Sequence, residues 1–407
     1  EQINWSDCRD DMVNVTEEII EEKQKKCNKF WYDEECAKIT EEKNKAYKEA
    51  INKKTRNALG KYKEMRKIVK KIHRNKKKTY YEELIKGLEE HHQSNESRKF
   101  YKLTNGLRKE FKPRLTMCRN EMGELVSDGK EVLKCWKSHF ETLLDGGQYN
   151  LTEENEENII ADMEDQSDGD LLPSFEDVRE AIEQLKNNRS PGPDNLNAEL
   201  FKVAEPVLLD KLYHILLQVW KTEKIPSEWE QGIICPIFKS GDPTLCHNYR
   251  GITLLNIIYK IFSVILFKKI RPYAEKQIGV YQCGFKAGKS TIDQIHTLRQ
   301  ILQKLREFKI HTYHLFIDFK AAYDSIDRQE LFKAMEEFEI PRKLINLTKA
   351  TLKNVKCRVK IQNQLSDEFM AHKGLRQGDA LSCLLFNIAL EKVINQGVKH
   401  RYKRHHI

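Results

Sequence analysis

Apolar positions recur along the chain with two periods, and the switch between them marks out its elements. Ala58, Tyr62, Met65, Val69 and Ile72 fall at alternating steps of four and three, which predicts a helix with one apolar seam and Lys and Arg around it. Further helical stretches are expected over Tyr80–Leu88 and near Phe100–Leu107, before a break at Pro113. From Leu115 to Leu144, short apolar pieces alternate with the turns Asn120–Gly123 and Ser127–Gly129, which suits a hairpin and a helix carrying Trp136 and Phe140. Asp145–Asp170 has no periodicity and too little apolar surface to fold, so it reads as a linker or loop.

Order resumes with a helix through Phe175, Val178, Ile182 and Leu185, then a Pro-restricted loop, Asn187–Asp194. A helix ending near Lys221 precedes a strand over Ile233–Phe238, and a second strand after Asn248–Gly251 leads into an apolar helix. Thr291 is the expected cap of a long helix through Ile292, Ile295, Leu298, Ile301, Leu302 and Leu305. Helices over Arg328–Phe338 and on to Lys353 follow. Val355–Ile361 alternates strictly, predicting a half-buried strand with a basic outer face. A returning strand and a helix Ser382–Asn395 capped by Gly397 complete the pattern.

One stretch does not serve packing alone. His314–Ile317 is an apolar run that ends on Asp318, a small-residue turn follows, and Tyr323 and Asp324 come next. The run predicts a strand buried on both faces that delivers Asp318 to a site, where a metal, a hydrogen bond or solvent would satisfy the carboxylate. The alternative, an Asp capping the next helix, suits Asp324 or Asp327 better than Asp318.

Composition sharpens this picture locally. The chain has 407 residues, enough for two or three domains. Its 39% hydrophobic and 33% charged content implies that part of it is solvated helix or linker. The net charge of +9 is unevenly spread: residues 43–78 hold 16 Lys and Arg against Glu49 and Glu64, whereas 153–170 hold nine acids and no base. A clustered basic helix over 43–78 is the electrostatic footprint of a polyanion, and nucleic acid is its expected partner. Ten cysteines are scattered without a Cys-x-x-Cys pair, which argues against a zinc site or disulfide scaffold and for intracellular thiols. The longest apolar run, Ile252–Ile270, is interrupted by Asn256, Lys260 and Ser263, so a buried helix is expected and no membrane partner. The opening Glu1-Gln2, with neither a leader nor an initiating Met, reads as a fragment.

The remaining chemistry lies in turns. Lys239 and Arg250 stand on either side of a turn, as clamping a triphosphate requires. Gly284–Ser290 falls one residue short of a phosphate-binding P-loop and no strong strand precedes it, so an NTPase is excluded. Gly374 and Gly378 bracket Leu375-Arg376-Gln377 and let the backbone approach a ligand closely.

Phe316-Ile317-Asp318 through Tyr323-Asp324, followed by Gly374-Leu375-Arg376-Gln377-Gly378-Asp379-Ala380-Leu381-Ser382, resembles the first two palm motifs of the reverse transcriptases of non-LTR (LINE-like, jockey-type) retrotransposons. Four more stretches agree: Ser190–Asp194, Pro236–Lys239, Asn248–Ile252 and Gln282–Phe285. Phe30–Cys36 resembles the segment that joins an upstream endonuclease to the polymerase in jockey-like elements.

The resemblance implies an α+β right-hand polymerase. A mostly helical basic region over 1–112 and a small subdomain with acidic linker over 113–170 would precede fingers over 171–310 and an incomplete palm over 311–407. Asp318 would be the catalytic metal ligand, binding Mg²⁺ or alternatively Mn²⁺. Tyr323 would stack under the incoming sugar and exclude a 2′-hydroxyl. Lys239 and Arg250 would hold the triphosphate, Gln377 and Gly378 would lie under nucleotide and template, and Asp324 would be structural. The family usually reads Pro at the places of Ala380 and Cys383. Its Tyr-Ala-Asp-Asp box does not occur between Asp379 and Ile407, so this fragment, which also lacks a thumb, is expected to extend no primer by itself.

The expected function is RNA-directed DNA polymerisation on an RNA template with a DNA primer and dNTPs. Its expected location is intracellular, nuclear with a cytoplasmic ribonucleoprotein stage. The alternative is a catalytically dead nucleic-acid-binding remnant. An RNA-templated RNA polymerase would share the palm logic, but Tyr323 at the sugar gate argues against it.

Overall fold

The computed structural model describes residues 4–19, 31–53, 55–94, 96, 99–101, 103–104, 117–145, 171–203 and 206–403. The acidic stretch expected as a linker, and the end of the helix expected near Leu107, lie outside the described residues. The chain forms two compact units, one of residues 17–112 and one of 1–16 with 113–407. The expected N-terminal region of 1–112 is therefore divided. Trp5, on helix α1 (Trp5–Ile19), packs edge-on against Trp229 with ring centroids 6.3 Å apart, because a large apolar side chain there is buried only in the larger core.

The smaller unit is built on a helical hairpin of α2 (Glu34–Lys53) and α3 (Arg56–Gln93). Contacts run in opposite directions along the two helices: Tyr47 meets Tyr62 at 5.0 Å, Thr40 Oγ1 meets His73 Nε2 at 3.3 Å, and Lys76 Nζ reaches Asp33 at 2.6 Å. The seam read from the sequence is the protected side of α3, with Val69 buried and Ala58, Tyr62, Met65 and Ile72 partly so. The stretch Tyr80–Leu88 is not a separate helix; α3 continues through it for 38 residues in all, about 57 Å. Trp31 and Tyr32 pack on His73 while Asp33 and Glu35 hold Lys76 Nζ at 2.6 and 2.7 Å, so this aromatic-acidic segment clasps α3.

The larger unit mixes helices and strands. Strands β1 (Cys118–Arg119) and β2 (Leu125–Val126) form the expected small hairpin, followed by α4 (Gly129–Leu144), α5 (Phe175–Glu183), α6 (Ala198–Lys202) and α7 (Pro206–Thr222). Strand β3 (Gln231–Phe238) pairs antiparallel with β4 (Tyr249–Leu254) and parallel with β5 (Lys356–Ile361). β5 also pairs antiparallel with β6 (Gln364–Leu365) and β7 (Phe369–Met370). Residues 171–310 and 311–407 thus share a sheet. Along β5, Cys357, Val359 and Ile361 are buried and Lys356, Arg358 and Lys360 point to the wetter side, as the alternation predicts.

Helix α4 covers one sheet face through Trp136 and Phe140, with the Trp136 ring 4.8 Å from Tyr249. The main core surrounds α8 (Ile257–Gln277), whose apolar residues occur all round the helix and are buried all round it. Helices α10 (Arg328–Glu337), α11 (Arg342–Lys353) and α12 (Leu381–Lys403) contribute to the same core, after α9 (Thr291–Glu307). No helix among the described residues is long and apolar enough to cross a membrane.

Three local expectations are corrected. Ser290, not Thr291, caps α9, because its hydroxyl and the Asp293 carboxylate form a reciprocal capping box. Gly397 does not end α12, which runs through it to Lys403. The run ending at Asp318 forms no strand: residues 311–319 have no regular structure, and Tyr313, Leu315, Phe316 and Ile317 are all more than 70% exposed. An apolar run becomes a strand only where a sheet edge meets it, and none does so among the described residues.

Candidate functional site

Six side chains line one open cleft of about 1860 Å³ in the larger unit: Lys239, Arg250, Asp318, Tyr323, Asp324 and Gln377. The β3–β4 turn supplies the first two. Lys239 follows β3, its backbone N–H donating to Asn248 at 2.9 Å, and Arg250 lies on β4 opposite Ile237. Both side chains are exposed and without an ion-pair partner among the described residues, and both line the cleft.

Asp318 stands in solvent, exposed along with the apolar run before it. The argument that burial makes its carboxylate costly does not hold in this fold. What it has is position, a carboxylate with no protein partner among the described residues opening on the same cleft as the two cations. The chain then turns sharply. Ala321 takes a φ of 52°, and Asp324 and Ser325 both donate backbone N–H groups to its carbonyl.

The turn places Tyr323 and Asp324 side by side in different surroundings. The Tyr323 ring stacks on Phe386 at 5.0 Å and meets Phe285 edge-on at 6.1 Å, and its hydroxyl donates to Cys383 Sγ at 3.7 Å. Burial, with the Cys383 sulfur beside it, pushes the phenol well above its ordinary pKa. Asp324 accepts from Gln377 Nε2 through both oxygens, at 2.9 and 3.0 Å. Burial raises its carboxyl, and the Gln377 amide opposes the shift.

Gln377 is held by its backbone. Its carbonyl accepts from Thr253 on β4 at 2.7 Å, while Gly374 and Leu375 donate to Ile326 and Tyr323 at 2.8 and 2.9 Å. Two glycines make this close approach possible. Gly374 has φ +75° and a Cβ there would lie 2.8 Å from the Asp324 carbonyl; Gly378 has φ +127° and its Cβ would lie 2.6 Å from the Thr253 carbonyl. Gly378 therefore presses β4 from behind Gln377 and presents no group of its own.

Supporting residues missed by sequence reasoning lie beneath this surface. Arg376 is buried, donates to the Trp229 and Thr351 carbonyls at 3.0 and 2.6 Å, and stacks over Tyr259 at 4.8 Å. Tyr259 donates to Asp379 at 2.6 Å, and the other Asp379 oxygen accepts from the Leu381 N–H at the start of α12. Gln282 donates to Glu391 on α12, and Asn387 donates to the Gly284 carbonyl, so the loop bearing Phe285 is docked on that helix. A Gln or Arg inside a glycine-flanked loop was the available signal for these partners.

Asp194, in the Pro-restricted loop, is an acid whose folded state favours the proton. One oxygen accepts from the Leu196 N–H at 3.2 Å, the other is buried without a partner, and burial raises the pKa from 3.8 to about 6. The folded protein thus binds more protons than the unfolded chain between pH 4 and 6, and stability falls as pH rises through that window. Asp194→Asn keeps the acceptor for Leu196 and removes the buried charge. It should therefore stabilise the chain at pH 8 by on the order of 2 kcal/mol, a gain that vanishes near pH 4. Denaturation midpoints at the two pH values measure it, and an equal effect at both would overturn the assignment.

A hydrated divalent ion needs only one or two carboxylates when phosphate oxygens and water complete its shell. Asp318 fits that demand as a single free carboxylate in a cleft with two cations for a polyanion. No group of three acids gathers around it among the described residues.

The chain is similar in sequence to known polymerases. Residues 237–406 match the family model for reverse transcriptase (RNA-dependent DNA polymerase). The chain is 26% identical over 279 residues to a probable RNA-directed DNA polymerase from transposon BS of Drosophila melanogaster, covering 65% of this chain and 30% of the relative. It is 28% identical to a probable RNA-directed DNA polymerase from transposon X-element of the same species, over 52% of this chain and 23% of the relative. To the RNA-directed DNA polymerase from mobile element jockey of that fly it is 25% identical, over 53% and 24%. The chain spans less than a third of the length of these relatives. Residues 237–406 thus resemble a reverse transcriptase domain, and the chain is similar in sequence to proteins named as RNA-directed DNA polymerases of transposable elements.

Proposed function

We propose that this chain supplies fingers and palm surfaces of a right-hand polymerase that copies an RNA template by extending a DNA 3′-hydroxyl with dNTPs. The observation that carries the reading is the convergence of Lys239, Arg250, Asp318, Tyr323 and Gln377, from four separate segments, on one cleft. Reverse transcriptases use divalent metal ions, and here Mg²⁺, with Mn²⁺ as the alternative, would be held by Asp318. When bound, the ion supplies charge neutralisation and a lowered pKa for the attacking hydroxyl.

The chain's own residues do the rest. Lys239 and Arg250 draw the triphosphate toward the β3–β4 turn and orient it. Tyr323, fixed by Phe386 and Cys383, presents a rigid ring edge where a ribose 2′-hydroxyl would have to fit. Gln377, with its amide anchored on Asp324, forms a floor of fixed position under the base pair. The test is primer extension on an RNA template by the protein that contains this chain, with dNTPs and NTPs in parallel. Efficient use of NTPs, or extension without any divalent ion, would sink the reading.

The helical hairpin of the smaller unit is proposed to grip RNA. Lys70, Lys71, Arg74 and Lys78 are exposed on α3, Lys78 in only a loose ion pair with Glu82 at 3.6 Å. Lys76, within the same basic run, is instead taken by Asp33 and Glu35, which push its pKa up, while its own hydrogen bond holds Asp33 at about 2. Replacing those four exposed residues by Gln should flatten the slope of log affinity against log salt for single-stranded RNA by about 3. An unchanged slope would place RNA elsewhere.

A further inference from the structure

The absence of any Cys-x-x-Cys pair argued against a zinc site, yet the fold gathers three cysteines that are far apart in the chain. Cys118 on β1, Cys135 on α4 and Cys246 in the 3₁₀ turn Cys246–Asn248 bring their sulfurs within 4.8 Å of one another. The Cys135 and Cys246 sulfurs are 4.0 Å apart. Cys118 and Cys246 are buried, and Cys135 and Cys246 also line the cleft. All nine described cysteines are free thiols.

We propose that this trio is a binding site for a soft divalent metal ion, Zn²⁺, held by three thiolates with a solvent molecule from the cleft in the fourth position. In a tetrahedral site with Zn–S bonds of about 2.3 Å, sulfurs stand about 3.8 Å apart. The observed sulfurs, 4.0 Å apart for Cys135 and Cys246 and all within 4.8 Å of one another, stand close to that spacing. Three mutually facing thiols also make a poor packing cluster by themselves, because S–H groups are weak donors. Two of the sulfurs now spend their protons on the Arg119 and Val132 carbonyls, at 3.3 and 4.0 Å. On binding, the three S–H protons pass to solvent and five of the six waters of the hydrated ion leave the metal, the sixth staying as the fourth ligand, so binding weakens as pH falls. The bound site carries a net charge of −1, which Arg119 and Lys134, lining the same cleft wall, offset.

No imidazole completes the set. His139 follows Cys135 by one helical turn and His247 follows Cys246 directly, but neither places a nitrogen within the 4.8 Å grouping. The consequence is mechanical. The ion would staple the β1–β2 hairpin and α4 to the segment that carries Lys239 and Arg250, adding to the Arg119 N–H bond to the Thr244 carbonyl at 2.8 Å and to the packing of Trp136 on Tyr249. This role does not rest on the polymerase reading, since its three ligands are other residues than those proposed for that site.

The test is metal retention by the whole chain. After exposure to Zn²⁺ and gel filtration, one ion per chain should remain. Co²⁺ in its place should give thiolate-to-cobalt charge-transfer absorption with the intensity of a tetrahedral site. Cys118→Ser, Cys135→Ser and Cys246→Ser should each weaken binding at least tenfold, and Cys235→Ser should not. Should a variant fail to fold, the wild-type chain still decides: Zn²⁺ must protect these three cysteines, and no others, from alkylation mapped by mass spectrometry. Absence of retained metal, protection of a different set, or a disulfide within the trio of the isolated protein would overturn the proposal.

Discussion

Asp318→Asn is expected to lower primer extension on an RNA template by on the order of a thousandfold, roughly 4 kcal/mol in the barrier, without changing stability. Asn preserves size and hydrogen-bonding capacity but removes a carboxylate that shares the cleft with Lys239 and Arg250. Because Asp318 is exposed and packs on nothing, its replacement leaves the thermal midpoint where it was. Asp324→Asn is the informative contrast. Both Asp324 oxygens accept from the Gln377 amide, so an amide there faces one N–H₂ group with another and loses a hydrogen bond. That change should lower stability by about 1–2 kcal/mol while extension falls less than tenfold. If Asp318→Asn keeps more than a tenth of the wild-type rate, or if Asp324→Asn is the more damaging of the two, the roles are reversed.

The contrast between these two acids also shows where the sequence was legible. Local pattern carried the elements whose partners are present. The alternation of Val355–Ile361 became β5 because one face meets α4 and the other does not, and the all-round apolarity of α8 became the centre of the main core. The same reasoning failed for residues 311–319 and fell short for α9, where Ile292 and Ile295 are about 70% exposed. An apolar pattern states what a segment can bury and leaves open whether a surface meets it. The residues around Asp318 were therefore identified by motif order, while the burial argument for its carboxylate was wrong.

Longer-range chemistry was less legible still. Gln377 and Asp324 are 53 residues apart, and nothing local to either says that one anchors the other. The cysteine trio spans gaps of 17 and 111 residues, beyond any spacing rule, and became visible only when the β3–β4 turn was folded beside β1 and α4. Lys76 reads as one more cation in a basic run, but the helical hairpin places Asp33 and Glu35 on it. In each case the missing information was which surface faces which, and that is a property of the packed core.

Arg328→Met should destabilise the larger unit by about 4 kcal/mol, and it should do so through the loop that holds Gln377. Arg328 is buried at the start of α10 and has no carboxylate partner among the described residues. Its guanidinium instead donates to four backbone carbonyls: Leu352 at 2.7 Å, Ala371 at 2.8 Å, and Gly374 and Lys373 at 3.1 Å. Burial, then the like charge of Arg376, pulls its pKa down to about 10, which still leaves it cationic at neutral pH. Met fills a similar volume and relieves the cost of a buried charge, but the four carbonyls remain in place without donors. Their desolvation outweighs the relief, since each costs about 1–3 kcal/mol when left unmet. Arg328→Lys should fall between the two, because one ammonium cannot span carbonyls from residues 352, 371, 373 and 374. Denaturant midpoints measure the loss. Amide exchange should locate it, with Gly374 and Leu375 losing protection before β5 does, since their N–H groups tie the loop to Ile326 and Tyr323. A loss under 1 kcal/mol, or fraying that starts in the sheet, would show that the carbonyls find other partners and that the loop is held from the Thr253 side alone.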